Sequence, residues 1–122
     1  MNDVLNENID NFNEAEWKKK MLKIQMVYNH VRMKFKDYVS DNLDKCRMWD
    51  NGNRFHVTKM KDGKLCDLYC EIYKSPHVYH EPVICVNIQT QDQLGYGACD
   101  IKPDMTKEYI EKIINYMFNF FE

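Results

Sequence analysis

No apolar run in this sequence approaches the ~18 residues that a bilayer-spanning helix needs, so no transmembrane helix is expected. The opening Met1-Asn2-Asp3-Val4 has neither a positive stretch nor an apolar one, so no secretory signal is expected and the chain is assigned to the cytoplasm. A Gly-rich phosphate loop, a Gly-x-Ser-x-Gly elbow and a His-Glu-x-x-His helix are all missing. Without a catalytic constellation the chain is read as no enzyme, with no cofactor. Internal repeats and long linkers are missing too. That leaves one domain over residues 14–122 behind an acidic, Asn-rich segment, 1–13, which reads as a short helix or a tail. Within that segment Leu5, Ile9 and Phe12 keep helical spacing.

One further absence is local: no acidic residue stands between Trp17 and Lys36. Seven basic residues do, namely Lys18, Lys19, Lys20, Lys23, Arg32, Lys34 and Lys36. Outside this window are ten basic and nineteen acidic residues, a net of −9, so the positive charge is concentrated in one element. In and just past the window, Trp17, Met21, Ile24, Tyr28, Val31, Phe35 and Tyr38 follow a 4-3-4-3-4-3 spacing. Such spacing puts all of them on one stripe of a helix, with the cations on its flanks and back. Asn13 followed by Glu14 and Glu16 reads as the N-cap, and Ser40-Asp41-Asn42 as the stop.

After the turn cluster Asp50-Asn51-Gly52-Asn53, alternation replaces the helical period. Phe55 and Val57 alternate with His56 and Thr58, and Lys61-Asp62-Gly63-Lys64 is a hairpin signal. In the next strand Cys66, Leu68, Cys70 and Ile72 form one face and Asp67, Tyr69, Glu71 and Tyr73 the other. Val83 to Gln89 is a third strand, and Gly95-Tyr96-Gly97 opens a short fourth that ends near Ile101. Pro103-Asp104 opens the last helix, with Thr106 and Glu108 as further start signals. Its buried stripe is Tyr109 or Ile110, Ile113, Ile114, Met117 and Phe121. The fold class is therefore α+β: a long N-terminal helix, an antiparallel three- to four-stranded meander and a C-terminal helix, an α-βββ(β)-α two-layer sandwich. Hydrophobic residues make up 44% of the chain and aromatics 13%, enough for a genuine core.

Five cysteines, an odd number, in a chain without a secretion signal read as reduced thiols, mostly buried. Cys66-x3-Cys70 followed by His77-x2-His80 has zinc-like ligand chemistry. The two thiols, however, share an inward strand face with Leu68 and Ile72 and stand roughly 13 Å apart at ~3.3 Å per residue. Buried thiols beside two loop histidines are the stronger reading, and no metal is assigned.

Two resemblances follow from these strands. Asp67-Leu68, then Pro82-Val83-Ile84-Cys85-Val86-Asn87-Ile88-Gln89, resembles the strand pair of PD-(D/E)xK nucleases. Those enzymes hold a divalent metal with an Asp on one strand and a Glu-x-Lys on the next. With Asn87 and Gln89 in place of the acid and the lysine, the resemblance implies an inactive nuclease-like fold. The α-βββ-α order is also similar to the double-stranded RNA-binding domain. That family grips phosphates with a Lys-rich start to its last helix, where this chain reads Asp104-Met105-Thr106-Lys107-Glu108. The resemblance implies the layout and not the phosphate contact.

Two surfaces remain as candidates. The basic helix offers cations to phosphates or to an acidic protein surface. The outward sheet face offers Tyr69, Glu71, Tyr73, His56, Thr58, Asn87 and Gln89, with Trp49 and Tyr79 beside it. Tyrosine-rich, weakly charged patches resemble interface cores. The expected function is non-catalytic binding of another protein with an acidic or mixed surface, as small inhibitors, immunity proteins and phage or viral anti-defence proteins do. The alternatives are a nucleic-acid-binding module using the 17–36 helix and a small zinc-dependent domain. No membrane partner is expected, and the sequence leaves a homo-oligomer open.

Overall fold

The structure is a computed structural model that describes residues 13–74, 81–91 and 98–121. Asn13 sets where its first helix starts. Its backbone is extended (φ −98°, ψ 103°) and its side-chain oxygen accepts the Glu16 N–H at 3.0 Å, satisfying a donor that the first turn leaves unpaired. From there α1 runs Glu14–Asp41 and buries Ile24, Tyr28, Val31, Phe35 and Val39. Trp17, Met21 and Tyr38, the remaining members of the expected stripe, are half-buried. Asn42 closes the helix: its N–H bonds the Val39 carbonyl at 3.0 Å, and its side-chain amide donates to the Tyr38 carbonyl at 2.8 Å.

Five strands follow: β1 (Cys46–Asp50), β2 (Arg54–Lys61), β3 (Lys64–Tyr73), β4 (Val83–Thr90) and β5 (Ala98–Ile101). They form one sheet in the order β1-β2-β3-β4-β5, antiparallel throughout. Short connections make the meander. The β2–β3 turn has Asp62 at φ 54° and Gly63 at φ 77°, the two consecutive positive angles that a two-residue hairpin requires. The strand beyond the expected count is β1, which occupies the segment that holds Trp49.

The last helix, α2, spans Lys107–Phe121 and opens later than Pro103-Asp104 suggested. Met105 N–H bonds the Lys102 carbonyl at 3.2 Å and closes a turn, after which Thr106 Oγ1 accepts the Tyr109 N–H at 3.1 Å as the true cap. Ile110, Ile114, Met117 and Phe121 are buried, Ile113 is half-buried and Tyr109 is exposed.

An odd number of antiparallel strands leaves the chain at the end opposite to the one it entered, which is where α1 began, so the two helices run parallel over one sheet face. Their contacts step along both together. Lys23 reaches the carbonyls of Pro103 and Met105, His30 lies 3.9 Å from Glu111, and Phe35 stacks on Phe118 at 4.3 Å. Beneath them Phe55 meets Tyr28 and Phe35 at 5.9 and 5.8 Å, surrounded by Val57, Leu68, Ile84, Val86 and Ile101.

One core group is unpaired. Tyr28 is fully buried, and among the described residues its hydroxyl has no hydrogen-bond partner. Burial, with Cys70 and Asp50 nearby, pushes its phenol far above the ordinary value. An unmade bond costs a buried hydroxyl about 1–3 kcal/mol, so Tyr28→Phe should be neutral or stabilise by up to ~1 kcal/mol. Urea denaturation checks this, and a clear loss of stability would show that the hydroxyl is bonded after all.

Candidate interaction surfaces

The basic helix first. Most of its cations are already engaged. Lys18 pairs with Glu14 at 3.3 Å, and Lys20 with Glu16 at 3.9 Å and Glu81 at 3.5 Å. Lys23 Nζ donates to the carbonyls of Pro103 (2.5 Å) and Met105 (3.0 Å), fixing the turn that leads into α2. Arg32 Nε donates to Asp50 Oδ2 at 2.6 Å, tying α1 to the edge strand β1. Lys34 lies 5.9 Å over the Phe118 ring. Lys19 and Lys36 are exposed. The exposed i,i+4 pairs are worth only tenths of a kcal/mol and compete weakly with another anion. Lys23 and Arg32 are different, because they hold elements together. Sequence spacing could not reveal these partners, which lie eighteen residues away for Arg32 and eighty for Lys23.

Asp50 shows how firmly Arg32 is committed. Burial pushes its carboxyl upward, but the Arg32 hydrogen bond, the Gly52 N–H at 2.8 Å and the charges of Arg32 and Lys36 outweigh that and hold it below the ordinary carboxylate range. A carboxyl depressed by folding stabilises above its unfolded pKa, about 3.9, and that contribution is lost as pH falls through the folded value. Asp50→Asn should therefore flatten the acid limb of the stability profile below pH ~4. Thermal melts from pH 7 to 2 read this, and equal slopes for variant and wild type would remove the linkage.

The second surface is the sheet face opposite the helices. Among the described residues no helix covers it. Register lines its outward side chains up in rows. One row is Trp49, His56, Tyr69 and Asn87, on β1 to β4 in turn. The next is Arg54, Glu71, Cys85 and Asp100, on β2 to β5. Trp49 and His56 meet edge to face at 6.1 Å, as do His56 and Tyr69 at 4.6 Å. The Arg54 guanidinium lies 5.3 Å over the Trp49 ring, a cation–π contact. Tyr69 donates its hydroxyl to Glu71, and burial together with that bond pushes its phenol up to about 12. His56 Nδ1 lies 3.4 Å from Asp67. Trp49 keeps 51% of its surface exposed, and Met60 and Leu65 extend the apolar area at 52% and 43%.

Tyr69, Glu71, Tyr73 and Trp49 are thus brought to one face, with Tyr73 half-buried opposite Val83 at its end. Glu71 is an internal acceptor as well as a surface charge. Arg54, which the sequence reading did not single out, stiffens the row. Its signal was its place at the first outward position of β2. Tyr79 lies outside the described residues, as do His77 and His80.

Cys66 and Cys70 sit on the inward face, 3% and 0% exposed, among Leu68, Ile72 and the helices. Burial pushes the Cys70 thiol up, with Cys85 and Cys99 adding to the shift, which opposes the thiolate that a metal or an electrophile needs. Cys99 faces the helices and His56 faces away from them, so these two do not meet; Cys85 shares the outward face with His56 but stands beyond β3. Among the described residues no cluster of three or more potential metal ligands forms, and no helix is long and apolar enough to cross a membrane. No protein-family model, no curated protein and no solved structure matches this chain, so the sheet face is judged on its own geometry.

Proposed function

We propose that the chain acts by binding another protein through its open sheet face and performs no reaction. This is the manner of small single-domain inhibitors, immunity proteins and anti-defence proteins of phages and viruses. One observation carries the reading: a half-exposed Trp49 heads an aromatic row that Arg54 and His56 hold in place. Aromatic side chains already held by neighbours lose little conformational freedom on binding, so they anchor an interface efficiently. Nucleic-acid binding by the 17–36 helix is the lesser reading, because Lys23 and Arg32 are tied to the fold and the rest of the chain is acidic.

The test compares protein captured by immobilised wild type with that captured by a Trp49→Ala, Tyr69→Ala variant. The double truncation should weaken retention at least ~10-fold, mainly through faster dissociation. Reversing exposed Lys18, Lys19 and Lys36 to Glu should alter mainly its salt dependence. Salt-sensitive binding of labelled DNA or RNA that the lysine reversals abolish and the sheet changes spare would move the function to the helix.

A further inference from the structure

We infer that the occupant of the open sheet face is a second copy of this chain, stacked across a two-fold axis parallel to the strands and passing between β2 and β3. The inference rests on the reading of that face as a protein-binding surface. It comes from the order of charges and apolar groups along the β2–β3 hairpin. Across the hairpin Arg54 is in register with Glu71, His56 with Tyr69, Thr58 with Asp67 and Met60 with Leu65, and all eight side chains point outward.

A two-fold axis along the strands preserves position along the hairpin and exchanges its two strands. Each β2 residue then faces the same row of the other copy's β3. Arg54 meets Glu71 of the second copy, His56 meets Tyr69, and Met60 meets Leu65. Symmetry makes every contact twice, the isologous pattern of a closed dimer. The two arginines and two glutamates form a square of alternating sign. Trp49, one strand further out, falls over Asn87 of the second copy.

Other placements of the axis are less complementary. Moved onto β3, it sets Glu71 against Glu71 and Asp67 against Asp67. Turned across the strands and centred on the Arg54–Glu71 row, it sets Arg54 against Arg54. Like charges closed into an interface cost several kcal/mol. An axis between β3 and β4 would pair Arg54 with Asp100 of the second copy, but it sets Glu71 against Cys85 and leaves Trp49 uncovered. The hairpin-centred axis is the one that uses Arg54, Glu71 and the aromatic row together. Two sheets packed face to face sit about 10 Å apart at about −30°, a rotation small enough to keep the central rows together.

Area allows a weak association. About this axis four of the five strands face the second copy, and at ~4.8 Å spacing and about 20 Å long they give a projected footprint of about 400 Å² per copy, which a rough side-chain surface exceeds. The two-copy total, about 800 Å² in projection, is that of a weak interface, below the ~1,000 Å² of a stable one, so association belongs at high micromolar concentration or above. A net charge of −2 per chain adds little repulsion.

Sedimentation from low micromolar to ~1 mM should carry the wild type from 14.8 kDa towards twice that mass. Arg54→Glu should weaken association at least ~10-fold, and adding Glu71→Arg should restore it. Far-UV circular dichroism confirms that each variant is folded. If Arg54→Glu fails to fold, Met60→Asp at an exposed position gives the same reading. A wild type that stays at 14.8 kDa throughout overturns the inference, as does a dimer that neither single variant weakens. A strict monomer that still captures another protein through Trp49 and Tyr69 loses the second copy but keeps the proposed function. No dimer and no face-dependent capture sinks both.

Discussion

Ile114→Asp should lose about half or more of the wild-type urea midpoint at 25 °C, whereas Ile113→Asp should keep most of it. The two positions are neighbours on α2, yet a helix turns 100° per residue and sends them to different environments. Ile114 is fully buried in the core, while Ile113 is half-buried and can turn a polar group to water. At position 114 a carboxylate loses its hydration inside the hydrophobic cluster, and the isoleucine leaves a void. The combined cost is about 4–6 kcal/mol, against a total stability of about 5–15 kcal/mol for such a domain. At position 113 the cost should stay near 1–2 kcal/mol. Urea denaturation followed by circular dichroism separates these outcomes. Equal midpoints for the two variants would show that the buried stripe of α2 runs elsewhere.

That contrast also marks how far the sequence could be read. The period of α2 pointed to Ile110, Ile114, Met117 and Phe121 but left Tyr109 and Ile113 as further members, since a stripe read from spacing is wider than the contact it makes. The parity of β3 placed Cys66, Leu68, Cys70 and Ile72 inward, where they lie. The Asp62-Gly63 turn and the Asn13 cap were legible because each is a local device, settled within four residues. Strand β1 was not legible. It has five residues, too few for a period to stand out, and it follows directly on a helical turn at Asn42–Lys45. The chemistry of α1 was half legible. Seven cations in one window are plain in the sequence, but whether they face a partner or the protein itself depends on contacts with Asp50, Glu81 and the Pro103 carbonyl.

The open face follows from the same geometry. Two parallel helices, each about 10 Å across, cover a sheet of five strands spaced ~4.8 Å apart on one side only. Among the described residues no helix is therefore left to cover the outward residues of β1 to β4, of which Val83 at the end of β4 is buried. A solvated face would carry many mobile charges. This one carries Trp49, His56, Tyr69 and Met60, with Arg54, Glu71 and Asp67 drawn into contacts with Trp49, Tyr69 and His56.

Lys59→Met should cost about 2–4 kcal/mol, the second-largest effect expected of a single substitution here. Lys59 stands at an inward position of β2, in register with Cys46 on one side and Cys66 on the other, where an apolar residue would be expected. Its Nζ donates to the Tyr38 hydroxyl on α1 at 2.9 Å and to the Phe121 carbonyl at the end of α2. One side chain thus ties the sheet to both helices. Neither helix has a basic residue in its last turn, so Lys59 also supplies the cation that the C-terminal end of the α2 dipole favours. Methionine keeps the apolar stem and removes only the charge and its donors, so the loss isolates those bonds. The pH dependence gives a second readout. The Tyr38 hydrogen bond raises the Lys59 pKa above its ordinary value, and this outweighs the opposing effect of burial. A group raised on folding contributes fully below its unfolded pKa, about 10.4, and loses that contribution as pH climbs through the folded value. The gap in urea midpoint between wild type and Lys59→Met should therefore be constant from pH 7 to 9 and shrink above about pH 10.5. A gap that stays constant to pH 12 would mean that the ammonium is not what holds the two helix ends to β2.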